Sequence, residues 1–163
     1  MIQLTVTSRL FREGEQIPAS AAHRMAGGDN LSPDLTWTGE PDGIQSFAVT
    51  CYDPDAPTTV GASHWVLFDL DPAITSLEVG AGGKGRNPKG SVLGFTDLGD
   101  SQYDGMAPPP DDPPHHYIFT VWALDTPSLQ GGQTTTYAMF NFLIRGHVLA
   151  KGELTGLFGT TGT

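Results

Sequence analysis

Ser46-Phe-Ala-Val-Thr-Cys-Tyr-Asp53, followed after the connection Pro54–Ser63 by His64-Trp-Val-Leu-Phe-Asp-Leu70, decides the fold. Successive side chains of an extended chain point to opposite faces. Phe47, Val49 and Cys51 therefore share one face of the first run, with Ala48, Thr50 and Tyr52 on the other. In the second run Trp65 and Leu67 oppose Val66, Phe68 and Leu70. Apolar residues on both faces predict strands in the middle of a layered structure. A further apolar strand is expected over Tyr117–Leu124.

Outward from these runs, Ile2, Leu4 and Val6 alternate with Gln3, Thr5 and Thr7, the period of one half-buried strand over 2–7. Arg24–Asp34 is turn chemistry, and Leu35-Thr36-Trp37 reads as a short extended piece. Only Thr134–Ala150 has helical spacing, through Phe140, Leu143, Ile144 and Val148, and Gly146 weakens it by about 1 kcal/mol relative to Ala. Gly152–Phe158 alternates as a last short strand. The 21 Gly and 13 Pro among 163 residues favour short strands joined by turns. Without regular βα alternation, the chain is expected to be mainly β, an antiparallel sandwich with one helical appendage, in a single domain over 1–163.

Eight basic against 18 acidic residues give a net charge of −10, which opposes nucleic acid and anionic membrane surfaces. No apolar run is long enough for integral membrane association. The lone Cys51 cannot make an intramolecular disulfide, and Met-Ile-Gln-Leu-Thr-Val lacks the marks of a signal peptide, so a cytoplasmic location is expected. A small anion remains compatible with the net charge, because a local cluster of donors acts at short range.

The chemistry-bearing residues sit at strand ends. Asp53 and Asp55 close the first buried strand within Asp53-Pro-Asp-Ala-Pro57, His64 opens the next, and His115 opens the strand from Tyr117. Antiparallel pairing of the first two strands brings Asp53, Asp55 and His64 to one rim, and His115 joins them only if its strand enters from the same side. Pro54 and Pro57 stiffen the acidic loop. The same carboxylates have a plainer use, capping a turn through their own backbone. His116 and His147 are assigned no role. No H-x-x-x-H or C-x-x-C spacing supports a metal, and Gly83-Lys84 is followed by Gly85 where a phosphate loop needs Ser or Thr. Neither a cofactor nor a nucleophile motif emerges, and Cys51 reads as a small buried hydrophobe. The proline-dense Ala107–Pro114 cannot join a sheet ladder and reads as a rigid pocket wall, although Pro110-Asp-Asp-Pro113 formally matches a polyproline ligand.

Gly28-Asp-Asn-Leu-Ser-Pro33 with Leu35 and Trp37, Ser46, Asp53-Pro-Asp-Ala-Pro57, His64, Tyr103-Asp-Gly105, Pro108-Pro109 and His115-His-Tyr117 together resemble the phosphatidylethanolamine-binding protein family, specifically its bacterial and archaeal Raf kinase inhibitor-like branch. The resemblance covers nearly the whole chain. It implies two antiparallel sheets with Greek-key connections, a C-terminal helix, and a small anion pocket at one end. By similarity Asp53, Asp55, His64, Gly105, Pro109, His115 and Tyr117 line that pocket, with Pro108 and Pro109 at its rim. Family members bind phosphorylated headgroups or small organic anions, and some inhibit kinases or serine proteases. Met106 and Ala107 stand where prokaryotic relatives commonly carry Pro and Cys, and His116 replaces the usual Arg. That last change removes a permanent cation.

The expectation is a non-catalytic protein that binds a small phosphate- or carboxylate-bearing ligand without a cofactor. The rivals are a His/Asp-dependent hydrolase of small phosphoesters or esters and a protein inhibitor of a serine protease or kinase acting through its proline-rich loop. A homodimer is the default assembly for such a chain.

Overall fold

The computed structural model describes residues 1–160. In chain order the strands are β1 (Ile2–Gln3), β2 (Thr5–Thr7), β3 (Leu35–Thr38), β4 (Ser46–Asp53), β5 (Ala62–Leu70), β6 (Ser76–Leu77), β7 (Val92–Leu93) and β8 (His115–Leu124). Helix α1 (Tyr137–Leu143) and β9 (Val148–Phe158) follow. Six strands in the order β1-β9-β8-β4-β5-β7 form the larger sheet, and β2-β3-β6 form the smaller one. Neighbouring strands are antiparallel except β1 and β9, which run parallel. The expected mainly β, two-sheet architecture with a late helix is thus the one observed.

The two-faced apolarity of β4 and β5 has a direct cause. Phe47, Val49, Cys51, Trp65 and Leu67 pack toward Leu35 and Trp37 of the smaller sheet. Trp37 meets Phe47 edge-on, with ring centroids 5.5 Å apart. On the opposite face, Ala48, Val66 and Phe68 lie under Phe140 and Ile144 from the helical segment. Fully burying one such large side chain is worth about 1.5–3 kcal/mol, so these layers carry much of the stability.

Three expectations need correction. The run 2–7 is two short strands in different sheets: β1 joins β9, the Leu4 N–H donates to the Lys151 carbonyl at 2.9 Å, and β2 then turns to β3. Leu4 and Val6 are buried while Ile2 is exposed, which the uniform alternation could not distinguish. The helix covers only Tyr137–Leu143, starting where the Thr136 hydroxyl accepts from the Met139 N–H. Gly146 adopts φ +80°, a left-handed conformation that ends helices, and Val148 goes on to pair with Leu124 in the sheet. The last strand is accordingly 11 residues long rather than a short run from Gly152.

Topology fixes the position of the chemistry. β4 lies between β5 and β8 and is antiparallel to both, so its end and their beginnings share one edge of the sheet. Asp53 pairs with Ala62, and Tyr52 pairs with Ile118. His115 therefore enters from the same rim as Asp53 and His64.

Candidate functional site

At that rim a cavity of about 180 Å³ is lined by Asp53, His64, His115 and Tyr117 and by apolar side chains that include Met25, Leu98, Ala107, Pro108 and Pro109. Strand alternation alone would point His64 away from the face that Trp65 occupies. Between β4 and β5, however, the pairing passes from Cys51–Trp65 to Tyr52–Ser63, which leaves His64 as the extra residue of a bulge. A bulge bends its strand and re-aims a side chain, and here it brings His64 into the cavity wall.

Backbone holds the His64 ring. Its Nδ1 lies 2.8 Å from the Asp104 carbonyl and 3.2 Å from that of Gly105. Carbonyls only accept, so the proton sits on Nδ1 and a neutral ring presents a lone pair at Nε2. Burial lowers the His64 pKa below the usual value, against the opposing pull of the Asp104 carbonyl and the Asp53 charge. Asn30 supports this floor, accepting from the Gly105 N–H at 2.7 Å and donating to the Tyr103 carbonyl.

His115 is in the opposite state. Nδ1 is 2.8 Å from Asp53 Oδ2 and Nε2 is 2.9 Å from Asp112 Oδ2. Two carboxylates require two N–H donors, which makes the ring an imidazolium. Burial works against that charge, but the hydrogen bonds the ring donates to Asp53 and Asp112 outweigh it and the pKa is raised. Tyr117, two residues along the strand, is fully buried, and its hydroxyl has no hydrogen-bond partner. Burial first, and the nearby Asp53 charge second, push that phenol far above its usual range, so it stays protonated. The Tyr117 ring meets His64 edge-on at 5.3 Å.

Asp53, His64, Pro108, Pro109, His115 and Tyr117 thus come together as the sequence suggests. Asp55 does not join them. Its carboxylate turns outward and accepts from both the N–H and the Nδ1 of His116, each at 2.7 Å, in an outer cleft beside Pro113 and Pro114. The backbone N–H of His116 is the largest influence lowering the Asp55 pKa. Gly105 stands behind His64 rather than in the lining, and contributes its carbonyl. Neither carboxylate orients His64, a role that falls to backbone. Asp112, Asn30, Met25 and Leu98 were not singled out from sequence. Asn30 and Asp112 stood within quoted stretches, Gly28–Pro33 and Pro110–Pro113, without being given a role. Among the described residues no cluster of three His, Cys, Asp or Glu side chains could hold a metal ion, and no helix is long and apolar enough to cross a membrane.

A family model described as phosphatidylethanolamine-binding protein matches residues 7–159. Two relatives from Escherichia coli (strain K12) are each 40% identical: YbcL over 157 residues, covering 94% of this chain and 86% of its own, and YbhB over 158 residues, covering 95% and 99%. The crystal structure of E. coli YbcL, described as a new member of the mammalian family, superposes with a TM-score of 0.92 at 38% identity, covering 96% of this chain and 98% of that one. A structure from Chlamydia trachomatis, described as a putative homologue, gives a TM-score of 0.82 at 28% identity, covering 97% and 98%.

Proposed function

The chain belongs to the phosphatidylethanolamine-binding protein family, and on that premise we propose that it is a non-catalytic binding protein whose rim cavity takes one small oxyanion, a phosphate-bearing group or a small organic acid. The observation that carries this reading is the buried, unpartnered Tyr117 hydroxyl in the cavity wall. A buried donor without a partner costs about 1–3 kcal/mol, which a guest oxygen would recover. A cavity of about 180 Å³ has room for a phosphate or carboxylate group. The His115 imidazolium offsets the Asp53 charge beside the guest.

Binding is favoured over turnover because no side chain among the described residues of the lining is an activated nucleophile. Tyr117 holds its proton, and Cys51 is fully buried with its thiol pushed up by that burial.

The test is calorimetric titration with inorganic phosphate and phosphoethanolamine at pH 5.5 and 8. Burial keeps the empty His64 neutral, while a bound anion favours one shared proton at Nε2, so the complex takes up a proton and affinity rises as pH falls. Equal affinity at both pH values would remove His64 from the site, and turnover of a phosphomonoester panel lost in His64→Ala would favour the hydrolase instead.

A further inference from the structure

The four polar side chains of the cavity differ in what they have left to offer. His115 spends both N–H groups on Asp53 and Asp112. His64 spends its Nδ1–H on two carbonyls, and its Nε2 has no partner among the described residues. Asp53 accepts from the Asp55 N–H on Oδ1 and from His115 on Oδ2, and a carboxylate oxygen has capacity for a second bond. Tyr117 brings one O–H, which lies near the Asp53 carboxylate without a hydrogen bond of ordinary geometry. Among the described residues no Lys or Arg lines the cavity. The side-chain inventory facing a guest is therefore one donor and two acceptors.

That inventory suits some oxyanions and not others. An anion made of acceptors alone, such as sulfate, satisfies Tyr117 but sets its remaining oxygens against the His64 lone pair and the Asp53 carboxylate. An anion with a hydroxyl of its own gives one charged oxygen to Tyr117 and donates its O–H to His64 or Asp53. We propose that the cavity selects oxyanions that carry an ionisable proton, singly protonated phosphate and phosphomonoesters above all, and that His64 Nε2 and Asp53 are the specificity-determining groups that read that proton. This rests on the oxyanion reading and narrows it: a phosphodiester, including an intact phospholipid headgroup, has no such proton and is disfavoured. Burial of His64 adds to the selection, because a protonless anion would have to be matched by charging that ring. Sites built to bond a guest hydroxyl discriminate strongly against analogues that lack it.

The test uses the full chain, at pH 6 and constant ionic strength, with calorimetric affinities for inorganic phosphate, sulfate, methyl phosphate and dimethyl phosphate. Phosphate and methyl phosphate should bind at least about 100-fold tighter than sulfate and dimethyl phosphate, the discrimination expected when a buried acceptor is left opposed to an anion. Asp53→Asn, which turns an acceptor into a potential donor, should cut the phosphate-to-sulfate ratio by at least about tenfold, and His64→Ala should lower it by weakening phosphate. Equal binding of phosphate and sulfate to the unaltered protein overturns the selection while the oxyanion reading stands. No binding of any of the four overturns both. A ratio unchanged in both folded variants overturns the assignment to these two residues, and the unaltered protein's four affinities decide the selection even if Asp53→Asn does not fold.

Discussion

Gly105 shows how closely the backbone is drawn together behind the pocket. A Cβ there would sit 2.4 Å from the Ala21 carbonyl oxygen, the Ala22 carbonyl carbon and the His23 nitrogen, all of them backbone atoms unable to swing aside. Gly105→Ala should therefore cost about 1–3 kcal/mol in urea unfolding and weaken phosphate binding, since displacing this segment moves the carbonyls that hold the His64 ring. Unaltered stability would mean that the 21–23 segment yields easily. Asp53 and His64 were legible because they sit at the two ends of a short connection between strands that pair antiparallel, whereas His115 was placed beside them only by the long-range pairing of β8 with β4. The fate of Asp55 was not: beyond Pro54 the period-two rule stops applying, and the outward turn is set by His116 on a different strand. The aim of His64 was equally hidden, because a bulge is a mismatch between two strands and leaves no mark on either alone.

At the scale of elements, α1 is seven residues long, too short to be stable by itself, and its presence depends on the face it buries. Phe140 is fully buried against Phe68 and Trp122, while Phe142 is 61% exposed on the same helix. Phe140→Ala should cost about 3–5 kcal/mol. Phe142→Ala should stay within about 0.5 kcal/mol, and comparable losses in parallel urea unfolding would mean that the helix packs differently. The apolar spacing of Phe140, Leu143 and Ile144 made the helix visible in the sequence. Its early end was not, because Val148 fits either the helical stripe or a strand, and the ladder to β8 decides between them. The same ambiguity split the amino-terminal run, where regular alternation continues across a change of sheet at Leu4.

At the scale of the whole molecule, the two pocket histidines tilt the dependence of folding on pH in opposite directions. His115 has a raised pKa in the fold, so its contribution is complete below the unfolded value of about 6.5 and is lost as pH rises through the folded value. His64 has a lowered pKa, so the unfolded chain takes up a proton first and stability declines as pH falls from about 6.5 toward the folded value. Urea midpoints measured across pH should decline on the alkaline side less in His115→Gln, and on the acid side less in His64→Gln, than in the unaltered protein. Identical profiles for all three would contradict these protonation states.

The parallel pairing of Ile2–Gln3 with Ala150–Lys151 bears on how the molecule is born. On the ribosome β1 is made well before its partner β9. β8, which bears His115 and Tyr117, keeps one bare edge until β9 arrives. A nascent chain stalled before residue 148 would thus expose an unpaired edge of β8, a template that chaperones must shield from neighbouring polypeptides.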